Sequence, residues 1–275
     1  MQVQKNYEKA EAFIRSAATQ GAELAVLPEY HLTNWVPQDP GFRDACALWQ
    51  TYLDKYRALA KECKISIVPG TIVELHKDFS IDKTGLKEGE ENAAGERLLN
   101  VAYFIDPNGE IAGKYVKKNL WGPIERLHLT SSSTDPHPVF DTPLGKVGMA
   151  VCWDLAFPEA FREMISLGAK LIIVPTFWTL SDCSKEGLAR NPTAETLFLD
   201  SILTSRCFEN TCGKLILSIG LEGHTSDAAL ISDSHCLCEC RRSSWKRVLW
   251  AIADLRSVRR PSHQAGQLRR RHECG

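Results

Sequence analysis

The stretch Lys146-Val147-Gly148-Met149-Ala150-Val151-Cys152-Trp153-Asp154-Leu155-Ala156-Phe157-Pro158-Glu159 is an apolar run that stops at a cysteine and gives way to a helical pattern. It predicts a strand over Lys146 to Val151, a tight turn at Cys152 and a helix from near Pro158 to Leu167. A thiol at such a turn faces the backbone N–H groups that follow it, which can bind an oxyanion and favour thiolate. A lone cysteine after an apolar strand is more often a plain buried thiol, so the setting gives Cys152 its interest.

Working outward, the same alternation recurs on both sides. Upstream, an Ala-rich helical pattern covers Lys5 to Thr19, and Glu23-Leu24-Ala25-Val26-Leu27-Pro28 is a short strand stopped by proline. A helix is expected from about Phe42 to Cys63, a β-type run from Ile65 to Leu75, and a charged surface loop from His76 to Glu96. Leu98 to Ile105 and Glu110 to Val116 read as a hairpin closed by Asp106-Pro107-Asn108-Gly109. Downstream of the loop Ser131 to Pro138 and the cysteine segment come a strand Leu171 to Pro175, a helix near Thr193 to Phe208 and a strand Lys214 to Ile219. Strands this rich in Val, Ile and Leu are covered on both faces, which predicts an α/β protein of layered sheets and helices.

The composition narrows the function classes. The chain has 275 residues, is 44% hydrophobic and 24% charged, and is long enough for one or two domains with a large core. With 33 Lys+Arg against 34 Asp+Glu, the net charge of -1 argues against a nucleic-acid partner bound by phosphate neutralisation. No window approaches the ~18 apolar residues of a membrane span. Met1 to Glu11 has no apolar stretch resembling a secretory signal, so a cytoplasmic location is expected. The 10 cysteines are too few for a disulfide scaffold of this length. His235, Cys236, Cys238 and Cys240 lack the usual spacing of a zinc site, and no metal is expected.

From Leu221 the character changes. Residues 221–275 hold nine arginines, one lysine and six acids, about +4, which leaves about -5 for residues 1–220. The expected organisation is a domain over 1–220 and an atypical basic tail over 221–275, poorly ordered and not continuing the domain.

Two further segments place a polar group at the end of an apolar strand. Glu29 follows Ala25-Val26-Leu27-Pro28, and Lys117 follows Gly113-Lys114-Tyr115-Val116. A carboxylate at the rim of a buried sheet can act as a general base with a raised pKa, and a lysine beside it can stabilise an oxyanion. Either residue alone reads more readily as a solvated charge at a strand end.

Together, Leu27-Pro28-Glu29, Gly113-Lys114-Tyr115-Val116-Lys117 and Val151-Cys152-Trp153-Asp154-Leu155-Ala156-Phe157-Pro158-Glu159 resemble, in order, the motifs of the carbon–nitrogen hydrolase family, the nitrilase superfamily. The resemblance covers about residues 5 to 220. It implies a four-layer αββα sandwich, commonly assembled as a homo-oligomer, with no cofactor. It also implies a strand ahead of the first helix and more strands after Ile219; Met1-Gln2-Val3-Gln4 and the tail do not supply these, so the sandwich is expected to be incomplete at both ends.

Residue by residue, the resemblance implies Glu29 as general base, Cys152 as nucleophile and Lys117 as oxyanion stabiliser. Glu125, in Trp121-Gly122-Pro123-Ile124-Glu125-Arg126, matches a second glutamate that positions substrate and lysine, and the Trp153 N–H matches the other oxyanion donor. Tyr30, Phe177 and Trp178 are candidate pocket walls, although aromatic residues there are as readily plain core. The implied activity is hydrolysis of a small amide or N-carbamoyl compound through a cysteine thioester, with release of ammonia. Asp154-Leu155 followed by Phe157-Pro158-Glu159 resembles the amidase and carbamoylase branches, whereas nitrilases usually carry Trp-Glu after the cysteine. Ala156 stands where small-acid ω-amidases usually have arginine, which weakens the case there for a substrate with a second carboxylate. The alternatives are nitrile hydrolysis by the same triad, a silent binding or assembly module, and an anionic-partner role for the Arg-rich end.

Overall fold

The computed structural model describes residues 2–77, 95–179 and 182–210, and the main chain alone of 214–220. The basic tail and the cluster from His235 to Cys240 lie outside the described residues. Among those residues no helix is long and apolar enough to cross a membrane.

Two sheets form the centre. The first holds β1 (Leu24–Val26), β2 (Ser66–Val68), β3 (Ile72–Lys77), β4 (Glu96–Ile105) and β5 (Ile111–Val116). β1 and β2 run parallel; β2 and β3 share one edge of the long β4, while β5 pairs antiparallel with its other edge. The second sheet orders β6 (Val139–Thr142), β7 (Gly145–Met149), β8 (Leu171–Phe177) and β9 (Lys214–Gly220), with the last three parallel.

Strand alternation sets the layers. Ala25, Leu27, Val101, Tyr103 and Ile105 point one way, onto α1 (Val3–Thr19) and α3 (Trp49–Cys63). α1 buries Val3, Tyr7, Ala10, Ile14 and Ala17, one face at helical spacing. Leu24, Val26, Ala102 and Phe104 point the other way, into a core shared with Val147, Met149, Leu171 and Ile173 of the second sheet. Beyond that sheet lie α5 (Pro158–Ser166) and α7 (Ala194–Asn210), which add Phe161, Met164, Leu199 and Leu203. The stack is helix, sheet, sheet, helix. Gly148 permits its outer contact, because a Cβ there would sit 2.6 Å from Met164 Sδ.

The sequence-based elements need several corrections. The helix expected over Phe42 to Cys63 is two, α2 (Phe42–Ala47) and α3, broken at Leu48. The run Ile65 to Leu75 is two strands, because Pro69-Gly70 turns the chain between β2 and β3. The surface loop expected over His76 to Glu96 is narrower, since His76 and Lys77 end β3 and Glu96 begins β4. Three short elements had no sequence expectation: α4 (Gly122–His128), β6 and α6 (Lys185–Arg190). α1 begins at Val3, so among the described residues no strand precedes it.

Gly70 yields a stability prediction. Its φ is +57°, and a Cβ would lie 1.8 Å from the Pro28 carbonyl oxygen, backbone that cannot swing aside. Gly70→Ala should cost about 3 kcal/mol or more, from left-handed strain plus displacement of the segment leading to Glu29. Thermal unfolding checks this, and a melting temperature unchanged within a degree would refute the close approach.

Candidate active site

Glu29, Lys117 and Cys152 all sit just past the C-terminal ends of strands β1, β5 and β7. In parallel sheets that is the edge where ligands collect. The layering brings these ends together, although the residues lie far apart in the chain. Lys117 Nζ donates to Glu29 Oε1 at 3.0 Å and to Glu125 Oε1 at 2.8 Å, with both ion pairs almost wholly buried. An ammonium has three N–H donors, so one remains for an incoming oxygen.

The carboxylates are fixed by further donors. Glu29 Oε1 also accepts from Asn100 Nδ2 at 2.8 Å, and Glu29 Oε2 from the Phe177 N–H at 2.9 Å. Glu125, on α4, accepts from the Tyr30 hydroxyl at 2.6 Å and from the Trp121 N–H at 2.7 Å. The Cys152 thiol donates to the Phe177 carbonyl at 3.2 Å. The Phe177 peptide groups therefore bridge the thiol and the Glu29 carboxylate.

Cys152 has φ +47° and Tyr30 φ +57°, left-handed values that cost non-glycine residues about 1–3 kcal/mol each. Cys152 opens a 3-10 turn over Cys152–Ala156, and Asp154 pins that turn. Asp154 Oδ2 accepts from the Val151 N–H and the Tyr115 hydroxyl, both at 2.9 Å. Its Oδ1 accepts from the Asn119 N–H at 2.9 Å and the Asn119 side chain at 2.8 Å. On the far side Arg206 of α7 donates from Nε to the Leu155 carbonyl at 3.2 Å. A reactive side chain held in a strained backbone needs such over-determination.

Burial dominates the electrostatics. It raises the Glu29 pKa; Lys117 pulls the other way, and the charge of Glu125, which shares the lysine, adds to the rise. Burial also pushes the Cys152 thiol well above its ordinary value, with the nearby Glu29 charge adding to it. For Lys117 burial acts downward, but Glu29, Cys152 and Glu125 outweigh it and hold the ammonium above its usual pKa. The cluster thus holds a fixed cation, a neutral thiol and a carboxylate that binds a proton more readily than an exposed one.

The expected pocket aromatics divide. Tyr30 stands beside the cluster, its ring centroid 6.0 Å from Lys117 Nζ, and Phe177 packs edge-on against it at 6.1 Å. Phe177 also joins the site through its main chain. Trp178 is buried, 5.6 Å from the Trp153 ring and 5.8 Å from Phe198, and its indole N–H donates to Glu195 at 2.7 Å. Asn100 and Asp154 were missed as candidates. Asn100 interrupts the apolar run Leu98 to Ile105, and that lone buried amide was the available signal.

Beside the cluster a cleft of about 260 Å³ is lined by Lys118, Asn119, Leu120, Arg126, Ser131, Trp153 and Phe157. It adjoins Lys117 through Lys118 and the cysteine turn through Trp153.

Residues 1–215 match the family model described as carbon-nitrogen hydrolase. The chain is 27% identical over 182 residues to the deaminated glutathione amidase of Mus musculus, covering 63% of this chain and 52% of that protein. It is 32% identical over 186 residues to nitrilase 2 of Arabidopsis thaliana, covering 65% of this chain and 51% of that protein. The chain spans about half the length of the curated relatives it matches. An amidase from Nesterenkonia sp. is similar in structure with a TM-score of 0.59 and 23% identity, over 80% of this chain and 71% of that one. That likeness shows the shared fold.

Proposed function

The chain belongs to the carbon–nitrogen hydrolase family, and from that premise we propose that it hydrolyses a small amide or N-carbamoyl compound through a Cys152 thioester and releases ammonia. The observation that carries the proposal is the buried convergence of Glu29, Lys117 and Cys152, with a neutral thiol placed where a carboxylate can take its proton.

In the proposed sequence Glu29 takes the thiol proton as the Cys152 sulfur attacks the carbonyl carbon. The developing oxyanion is met by the third N–H of Lys117 and by the Trp153 N–H. Glu29 then passes its proton to the nitrogen, and the C–N bond breaks to give ammonia and a thioester. Water, deprotonated by Glu29, attacks the thioester; Cys152 leaves and regains a proton, and the acid is released. Glu125 and Tyr30 orient the lysine and touch no reacting bond. Removing a donor to an oxyanion typically costs about 100-fold or more in rate.

Ammonia release from a panel of aliphatic amides, N-carbamoyl amines and nitriles tests this. The proposal expects turnover of an amide or carbamoyl member that is lost with Cys152→Ala; a folded protein silent on both classes would count against it.

The pH profile gives a second expectation. Glu29 must be ionised to accept the thiol proton, and burial raises its pKa from 4.5. The acid limb of kcat/KM should therefore lie above pH 4.5. Asn100→Ala removes a donor that favours the charged carboxylate, so the limb should move upward by roughly one unit or more. A purely structural role for Asn100 would lower the plateau and leave the limb in place.

A further inference from the structure

Asp154 ties the cysteine turn to the segment that follows Lys117, and a further side chain stands behind it. Its Oδ2 takes the Val151 N–H and the Tyr115 hydroxyl, and its Oδ1 takes both donors of Asn119. The Tyr115 oxygen also lies 3.2 Å from Nδ1 of His137, whose ring stacks on the tyrosine with centroids 5.8 Å apart. His137 is buried, at 6% exposure, just ahead of β6. Its backbone N–H donates to Glu163 of α5 at 3.0 Å. The loop before it is fastened to the lysine strand by Ser132, which donates from Oγ to the Val116 carbonyl at 2.7 Å.

A phenol has one proton to give. Given to Asp154, it leaves the Tyr115 oxygen as an acceptor, so Nδ1 of His137 must carry the proton between them. Given to His137 instead, it strips Asp154 of the donor that shares Oδ2 with the Val151 N–H. Resting on the Cys152 nucleophile above, we propose that His137 is a positioning residue: as the Nδ1–H tautomer it turns the Tyr115 hydroxyl onto Asp154 and so holds the cysteine turn. The surroundings of the ring fit this. Burial lowers the His137 pKa and Lys118 acts the same way, against Asp154 and Glu163, which favours a neutral ring with a single N–H to direct. The turn needs the support because Cys152 holds a left-handed φ of +47° while its thiol gives up a proton.

The tautomer and the thiol are measured separately. Two-bond proton–nitrogen spectra of nitrogen-15-histidine-labelled protein, with His137 assigned by its loss in His137→Asn, should show a neutral ring protonated at Nδ1. In Asp154→Asn the amide oxygen stays with Asn119 and the NH2 faces Tyr115, so the phenol proton turns to His137 and the tautomer should switch. A parent ring protonated at Nε2, or no switch in an Asp154→Asn variant that melts cooperatively, would overturn the chain. Alkylation of Cys152 by iodoacetamide, followed on its own peptide by mass spectrometry, needs no substrate. Tyr115→Phe and His137→Phe should each slow it about 5- to 10-fold, and the pair together no more than either alone. His137→Asn should recover part of the rate, because its amide can donate from near the place of Nδ1. A merely structural pair lowers the melting temperature with the alkylation rate unchanged, or gives losses that multiply; either result contradicts the positioning role. For an amide that the parent turns over, the same variants should lose kcat with KM held. If no amide is turned over, the tautomer and alkylation results still decide the role of His137, and the hydrolase reading alone fails.

Discussion

Cys152→Ala should lose amide turnover by at least about 10⁴-fold while melting within a few degrees of the parent protein. The asymmetry follows from what the side chain does. Its thiol makes a weak hydrogen bond to the Phe177 carbonyl, and alanine meets the same left-handed backbone as cysteine, so little native energy is removed. The proposed covalent route disappears entirely. Cys152→Ser should be nearly as inactive, because a hydroxyl gives up its proton to Glu29 far less readily than a thiol. Activity of either variant within tenfold of the parent would contradict nucleophilic catalysis by this residue.

Lys117→Met should lose both activity and stability. Among the described residues the lysine is the cation paired with Glu29 and Glu125, and its removal leaves two buried carboxylates uncompensated. Breaking a buried pair in this way typically costs about 3–5 kcal/mol. Without the lysine, the pull that opposes burial on Glu29 is gone, and the folded protein would hold Glu29 at a pKa above that of the unfolded chain. A group of that kind favours the fold below its unfolded pKa and loses that contribution as pH rises through its folded pKa. The destabilisation should therefore shrink as the pH is lowered toward the carboxylate range. Glu125→Gln added to Lys117→Met should restore part of the stability and none of the activity. Denaturant unfolding of the two variants at neutral and acidic pH checks this. Single-variant stability equal to the parent at neutral pH would mean that the ion pairs are dispensable.

The segments of the proposed catalytic residues were legible because each combines a strand pattern with one polar residue at its end: Glu29 after Pro28, Lys117 after Val116, Cys152 after Val151. Local sequence carries that signal, and the layered fold follows from the same apolar runs. What was not legible is mostly short or long-range. α4 and α6, at seven and six residues, span too few turns to show a helical period. The break at Leu48 carries no glycine or proline, so the helical pattern runs through it. Asn100 meets Glu29 across 71 residues, and the bridge through Phe177 uses peptide groups that side-chain identity cannot announce. Arg126 looked like a neighbour of Glu125; its place in the cleft depends on how α4 lies against the cysteine turn.

The central claim is that an acyl group passes through the Cys152 sulfur. The direct measurement is acyl partitioning in hydroxylamine, using two amides of the same acid, one releasing ammonia and one releasing methylamine. A common thioester predicts the same ratio of hydroxamate to free acid from both, and neither product with Cys152→Ala. Ratios that follow the leaving group, or hydrolysis without hydroxamate that persists in Cys152→Ala, would contradict it.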